Sequence, residues 1–268
     1  MSENRDLRVA LLIDAENIAA KNIDEILNKV SLEGRATVKR IYGDFSANSK
    51  SGQAKSWNKI VAEYALSQVQ QIQTSTGKNS SDSALIIDAM DLLYSGTIDV
   101  MCIVTNDSDF TRLAMRIADS GRLVIGMGTG AQATSKSFMS ACSKFYYLDD
   151  TKESQAGAEE DQKDTKRTKI TDKGQAEKGA KAHTYTVPKK VIDTIITAVE
   201  NADMIGDDWC NIAPIGSVLY RRFPEFDPSI WKRPKQLSLF LKSLDEYFEV
   251  QQGEVIGKPA GSYIRIRT

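Results

Sequence analysis

The chain has 268 residues, 41% of them hydrophobic and 26% charged, with a net charge of −1. That length suffices for two ordinary domains, and near-neutrality argues against a global basic field while leaving room for a local one. The single histidine, His183, argues against a Ser–His–Asp triad, a Cys–His dyad and a histidine zinc site; chemistry then falls to carboxylates, lysines and hydroxyls, which favour hard metals bound through oxygen.

The N-terminal segment MSENRDLR has no apolar signal core, and no apolar run reaches the ~18 residues of a membrane span. The expectation is a cytoplasmic protein. Cys102, Cys142 and Cys210 stand far apart in apolar patterns, outside any CxxC pair, and read as buried reduced thiols.

In chain order, LRVALLI (7–13) is a buried strand that ends on Asp14, with Asn17 three residues on. NIDEILNKV (22–30) has helical spacing, TVKRIYG (37–43) is a strand, and WNKIVAEYAL (57–66) reads as a helix. VQQIQT (69–74) is a short strand; SDSALIIDAMDLLYSG (81–96) is a helix from Ser81 to the stop signal Gly96. IDVMCIV (98–104) is a strand, followed at once by Asp107 and Asp109 and a helix over 110–121. RLVIGMG (122–128), SKSFMSACS and KFYYL read as strand, helix and strand. GMGTG (126–130) lacks the P-loop lysine and reads as a turn. This alternation implies an α/β fold, a parallel sheet covered by helices on both faces.

Residues 151–184 are almost wholly polar and read as a flexible linker. From 185 to 268 the apolar patterning returns, so the expected division is 1–150, linker, 185–268.

Ligands of open parallel sheets bind outside the carboxyl ends of the strands. Asp14, Asp107 and Asp109 follow such ends, and Asp82 opens the helix before strand 98–104. Helix dipoles offset only a few tenths to ~1 kcal/mol per carboxylate, so a divalent cation, Mg²⁺ or Mn²⁺, better accounts for four acids on one rim. Taken singly, Asp109 or Ser108 is equally a helix N-cap, and Asp82 a helix-start acid. A dehalogenase-type phosphatase would want a second aspartate two residues after Asp14, where this chain has Glu16.

LLIDAENI, KNSSDSALIIDAMDLLYSG and IVTNDSDFTRLAMRIADSGRLVIGMG, in this order and spacing, resemble the NYN domain family, relatives of PIN-domain nucleases, over roughly 7–149. The resemblance implies a PIN-like fold and metal-dependent RNA cleavage, with Asp14, Asn17, Asp82, Asp107 and Asp109 as the site. Many members have glycine before the DSDF acids; here Asn106 is expected to take up the left-handed turn. Lys78 matches a lysine that would meet a phosphate. Asp88 supports the site or merely flanks its helix.

The stretch WCNIAPIGSVLYRRFPEFDPSIWKRPKQLSLFLKSLDEYFEVQ, closing in GSYIRIR, resembles the LOTUS domain, also called OST-HTH, over roughly 185–267. That implies a winged helix-turn-helix with a two-stranded wing, and as partner RNA, structured or G-rich among the options, or another protein. After the FDP segment the family has a tyrosine–glycine pair and this chain has Ile230-Trp231-Lys232-Arg233. Arg221, Arg222, Lys232, Arg233 and Lys235 cluster around Trp231, the combination that phosphates and stacked bases need; the competing reading is a solvated face over a buried tryptophan. The expected function is a metal-dependent ribonuclease, an endonuclease as the resemblance implies, leaving a 5′-phosphate and a 3′-hydroxyl. A non-catalytic RNA- or protein-binding adaptor and a metal-dependent phosphatase are the alternatives.

Overall fold

The computed structural model describes residues 6–46, 49, 51–71, 80–130, 134–148, 187–205, 208–254 and 259–267. Lys78, His183 and the segment 151–184 therefore lie outside the described residues.

Six parallel strands form the main sheet: β1 (Arg8–Asp14), β2 (Arg35–Gly43), β3 (Ser67–Gln70), β4 (Val100–Val104), β5 (Leu123–Thr129) and β6 (Lys144–Leu148), in the order β3-β2-β1-β4-β5-β6. The central strands β1 and β4 are buried almost throughout, as a sheet covered on both faces requires. Alternation sorts their side chains. Leu11, Ile13, Cys102 and Val104 pack on one face against α1 (Ile23–Glu33) and the fully buried Trp57 of α2 (Gly52–Trp57). Ala10, Leu12, Met101 and Ile103 pack on the other against α3 (Ser80–Ser95), α4 (Thr111–Asp119) and Phe138 of α5 (Lys136–Ala141).

Two local expectations change. The helix read over 57–66 ends at Trp57, and mixed i→i+3 and i→i+4 bonds carry the chain on to Ala65, at φ 49°. One carbonyl of this segment is taken by a side chain, Lys39 Nζ donating to Tyr64 at 2.6 Å, while the Trp57 indole ties the end of α2 to the Ile18 carbonyl at 3.0 Å. In GMGTG, Gly126 and Gly128 belong to β5, as the strand read over 122–128 has it, and the turn read over 126–130 is confined to its end, where Gly130 has φ 66°. A Cβ on Gly128 would stand 2.4 Å from Thr134 Oγ1, so the strand needs glycine for this approach.

The C-terminal unit holds α6 (Lys189–Glu200), β7 (Cys210–Asn211), α7 (Ile212–Arg222), α8 (Leu237–Lys242), β8 (Phe248–Gln252) and β9 (Ser262–Ile266). Its sheet is antiparallel and three-stranded, β7-β9-β8, where the sequence suggests two strands. Val191, Ile195, Val199, Ile215, Leu219, Phe240, Phe248 and Ile264 form its core. Gly216 lets α8 close on α7: a Cβ there would sit 2.7 Å from Leu237 Cδ2.

The two units touch. Leu32 of α1 packs against the C-terminal core. Asn28 Oδ1 accepts from Thr194 Oγ1 at 2.8 Å and from Arg222 Nε at 3.2 Å, and Arg222 Nη2 meets Asp24 at 2.6 Å. Arg221 donates to Asp6 Oδ1 at 2.8 Å and to the Ser31 carbonyl at 3.2 Å. Among the described residues no helix is long and apolar enough to cross a membrane.

Candidate active site

The strand order reverses direction at β1: α1 leads to β2 on one side, and α3 returns the chain to β4 on the other. The crevice at such a switch point, outside the strands' carboxyl ends, is where open α/β sheets place ligands. Ile13 pairs with Val104, so Asp14 and Thr105 emerge side by side.

Asp14 is 2% exposed. Its Oδ2 accepts from Asn17 Nδ2 at 2.6 Å and Thr105 Oγ1 at 2.9 Å; its Oδ1 accepts from the backbone N–H of Glu16 and Asn17 at 3.2 and 3.3 Å. Burial raises its pKa above the ordinary aspartate value, and these donors oppose the rise. Thr105 Oγ1 also accepts from the Asp107 N–H at 3.1 Å, and Asp107 Oδ1 caps the following turn by accepting from the Asp109 N–H at 2.9 Å. One hydroxyl thus couples the β1 acid to the β4 acids.

Asp82, in the first turn of α3, is half-buried, and its pKa is pushed up to about 6. Burial is the first cause; the fields of Asp14, Asp107, Glu16 and Asp109 follow. The structure therefore brings Asp14, Asn17, Asp82, Asp107 and Asp109 to one rim. Among the described residues no three acidic, histidine or cysteine side chains converge as a ready-made metal cage. A hard cation needs fewer: Mg²⁺ takes one or two carboxylates and keeps several waters. An all-oxygen donor set with excess negative charge fits such an ion.

Other residues stand where the sequence did not put them. Asp88 accepts from the Tyr42 hydroxyl at 2.8 Å and pairs with Arg40 at 2.9 Å, and is not among the acids acting on Asp82. Ser108 is exposed, its carbonyl accepting from Thr111 Oγ1. Asn106 does not take a left-handed φ. Its Oδ1 accepts from the Thr129 N–H at 2.8 Å and Thr134 Oγ1 at 3.1 Å, clamping the β4 and β5 ends together. Glu16 is an additional rim acid: it accepts from Ser81 Oγ at 2.9 Å and from the Asp44 N–H at 3.4 Å, tying α3 and the β2 end to the β1 loop. An acid two residues past a strand end is a signal for it, though only the fold shows that Ser81 comes near.

The NYN domain profile matches residues 8–149. The chain belongs to the NYN domain family. NYN domains are PIN-like nucleases that generally use divalent metals, and the family suggests RNA as substrate. An uncharacterized protein of Methanocaldococcus jannaschii is 28% identical over 125 residues, 45% of this chain; the chain spans 47% of that relative's length. A crystal structure of a protein of unknown function from Vibrio parahaemolyticus aligns with 56% of this chain and 98% of its own at 18% identity, with a TM-score of 0.46.

In the C-terminal unit, Arg221 and Arg222 face α1 of the NYN domain, with side chains only 17% and 10% exposed. Trp231 is half-buried against Phe226 and Phe240. Arg233 donates to the Ser243 carbonyl at 3.0 Å, and the exposed Lys235 meets Asp227 at 3.3 Å. Lys232 is exposed, at φ 55°.

Proposed function

We propose that the protein is a Mg²⁺- or Mn²⁺-dependent ribonuclease acting on RNA phosphodiesters at the NYN rim. Its C-terminal unit, residues 185–268, is a LOTUS-type winged helix-turn-helix that recruits RNA, joined to residues 1–150 by the polar linker 151–184. The observation that carries the reading is the crowding at Asp82: four carboxylates act on a half-buried acid, at the strand ends where this fold binds ligands.

Asp14, Asp82, Asp107 and Asp109 would hold the cation, which when bound offsets charge on the phosphate and helps water attack in line. Asn17 and Thr105 fix the Asp14 carboxylate by hydrogen bonds. Glu16 anchors the start of α3 through Ser81 and so sets where Asp82 stands. Trp231, Lys232, Arg233 and Lys235 offer RNA an aromatic edge and cations; Arg221 and Arg222 are better described as docking residues.

Incubation with RNA and, separately, with a generic phosphomonoester, each with Mn²⁺ or excess EDTA, tests this. Cleavage of RNA that EDTA and Asp107→Asn both abolish is expected. Intact but bound RNA points to an adaptor, hydrolysis of the monoester alone to a phosphatase, and equal cleavage in EDTA removes the metal.

A further inference from the structure

Between the two units lies a cleft of about 790 Å³, walled by α1, β2 and the chain after α2 on one side and by α7 and the Phe223–Trp231 segment on the other. That volume is in the range of small-molecule and cofactor sites, which favour such junctions. Three of its cations are already used: Arg221 with Asp6, Arg222 with Asp24, and Lys190 with Glu63. Two are not. Among the described residues neither Arg35 nor Lys39 forms an ion pair; the Lys39 ammonium donates to a neutral carbonyl, that of Tyr64, at 2.6 Å. Lys39 is also partly buried and within the field of Arg222, a like charge. An anion here would relieve that repulsion, and no acid of the described residues supplies it. Phe226 and the half-buried Trp231, in ring contact with each other, line the same cleft. Glu63 and Glu225 also line the cleft, so it favours a ligand of small anionic charge over a polyanion packed throughout.

We propose that this cleft binds one nucleoside phosphate unit, its phosphate on Lys39 and Arg35 and its base against the Trp231–Phe226 wall. Single-stranded RNA and a free mononucleotide share this chemistry. The proposal rests on the reading of the protein as an RNA-acting enzyme only for the first source. Arg35 opens β2 and Lys39 is its middle residue, whereas the acid rim is at the strand's far end, beyond Gly43. At ~3.3 Å per residue Arg35 is roughly 26 Å and Lys39 roughly 13 Å from that end, so a nucleotide held here is an anchor, separate from the bond cut.

Binding to the full-length protein is measured in EDTA, which removes cleavage from the readout. The probes are AMP and a short unstructured RNA, followed by tryptophan fluorescence and by a salt titration. Trp57 and Trp209 are buried, so quenching by ligand should come from Trp231 and vanish in Trp231→Phe. Arg35→Gln and Lys39→Gln should each weaken binding about five- to tenfold, in line with one lost phosphate contact, and lower the salt slope by about one. Arg35 is exposed, so its variant reads the site even where Lys39→Gln perturbs folding. AMP and RNA both weakened by the variants assigns the site to a nucleotide of either source; RNA alone weakened assigns it to a strand. Unchanged affinities for both probes in Arg35→Gln and in folded Lys39→Gln overturn the proposal, whether or not the rim cleaves RNA.

Discussion

Asp82 is the residue whose environment most needs an answering charge. Its folded pKa of about 6 lies above the ordinary aspartate value of 3.8. The native state therefore holds the proton more tightly than the unfolded chain, and this group's contribution to stability falls as pH rises through that window. Asp82→Asn removes the cost. With solvent screening of a half-exposed group, the metal-free variant should be about 1 kcal/mol more stable than the parent at pH 7. The gap should close as pH falls toward 4, and Mg²⁺ should raise the parent's Tm more than the variant's. Thermal melts at pH 4.5 and 7, with and without Mg²⁺, measure both; a variant less stable at pH 7 would remove the crowding argument. Thr105→Val removes one of the four donors to Asp14 and leaves the Asp107 N–H without its acceptor. Loss of about 1–3 kcal/mol is expected, read as a lower urea midpoint. The acids of this site were legible because strand ends and helix starts carry a sequence signature. Thr105 and Glu16 were not, since their roles exist only once β1, β4 and α3 are adjacent.

Among the elements, apolar runs gave β1, β4 and β5 to within a residue or two, because a buried parallel strand has few polar positions to blur it, and β2 as closely although only its Ile41–Gly43 end is buried. The segment after Trp57 misled because Ile60, Val61 and Tyr64 keep helical spacing while the backbone is diverted by side-chain bonds from distant residues. Asn106 misled differently: its side chain, not its φ, fits the turn. The end of β5 was built around that clamp. Gly128→Ala would put a methyl 2.4 Å from Thr134 Oγ1 and 2.9 Å from Asn106 Oδ1. A loss of about 1–3 kcal/mol follows from such overpacking. Gly52→Ala, at the start of α2 with nothing within 4 Å, should instead stabilise by about 0.4–1 kcal/mol. Chemical denaturation of the pair checks the contrast, and equal effects would mean that the β5 end relaxes freely.

Across the whole molecule the C-terminal unit is docked on α1, a relation no local pattern announces: Asn28 and Arg222 are 194 residues apart. The basic pair looked from sequence like an RNA surface because charge alone does not say which way a side chain faces. Arg222→Ala strips the Asp24 carboxylate and the Asn28 amide of a shared partner. Truncation of such a part-buried pair costs about 2–4 kcal/mol, and the two units should then unfold in separate steps where the parent shows one. A single unshifted transition in the variant would make the docking incidental.

The Asp14–Thr105 bond at the rim closes a loop of 91 residues, and β1 cannot gain its β4 partner until that much chain has been made. Loop closure of this kind is met late, after its entropy has been spent. A nascent or partly folded chain therefore holds its acids apart, without mutual repulsion and without the power to gather a cation. The rim can therefore gather only once the chain has grown past Asp109, and it does so before α6 to β9 have been made.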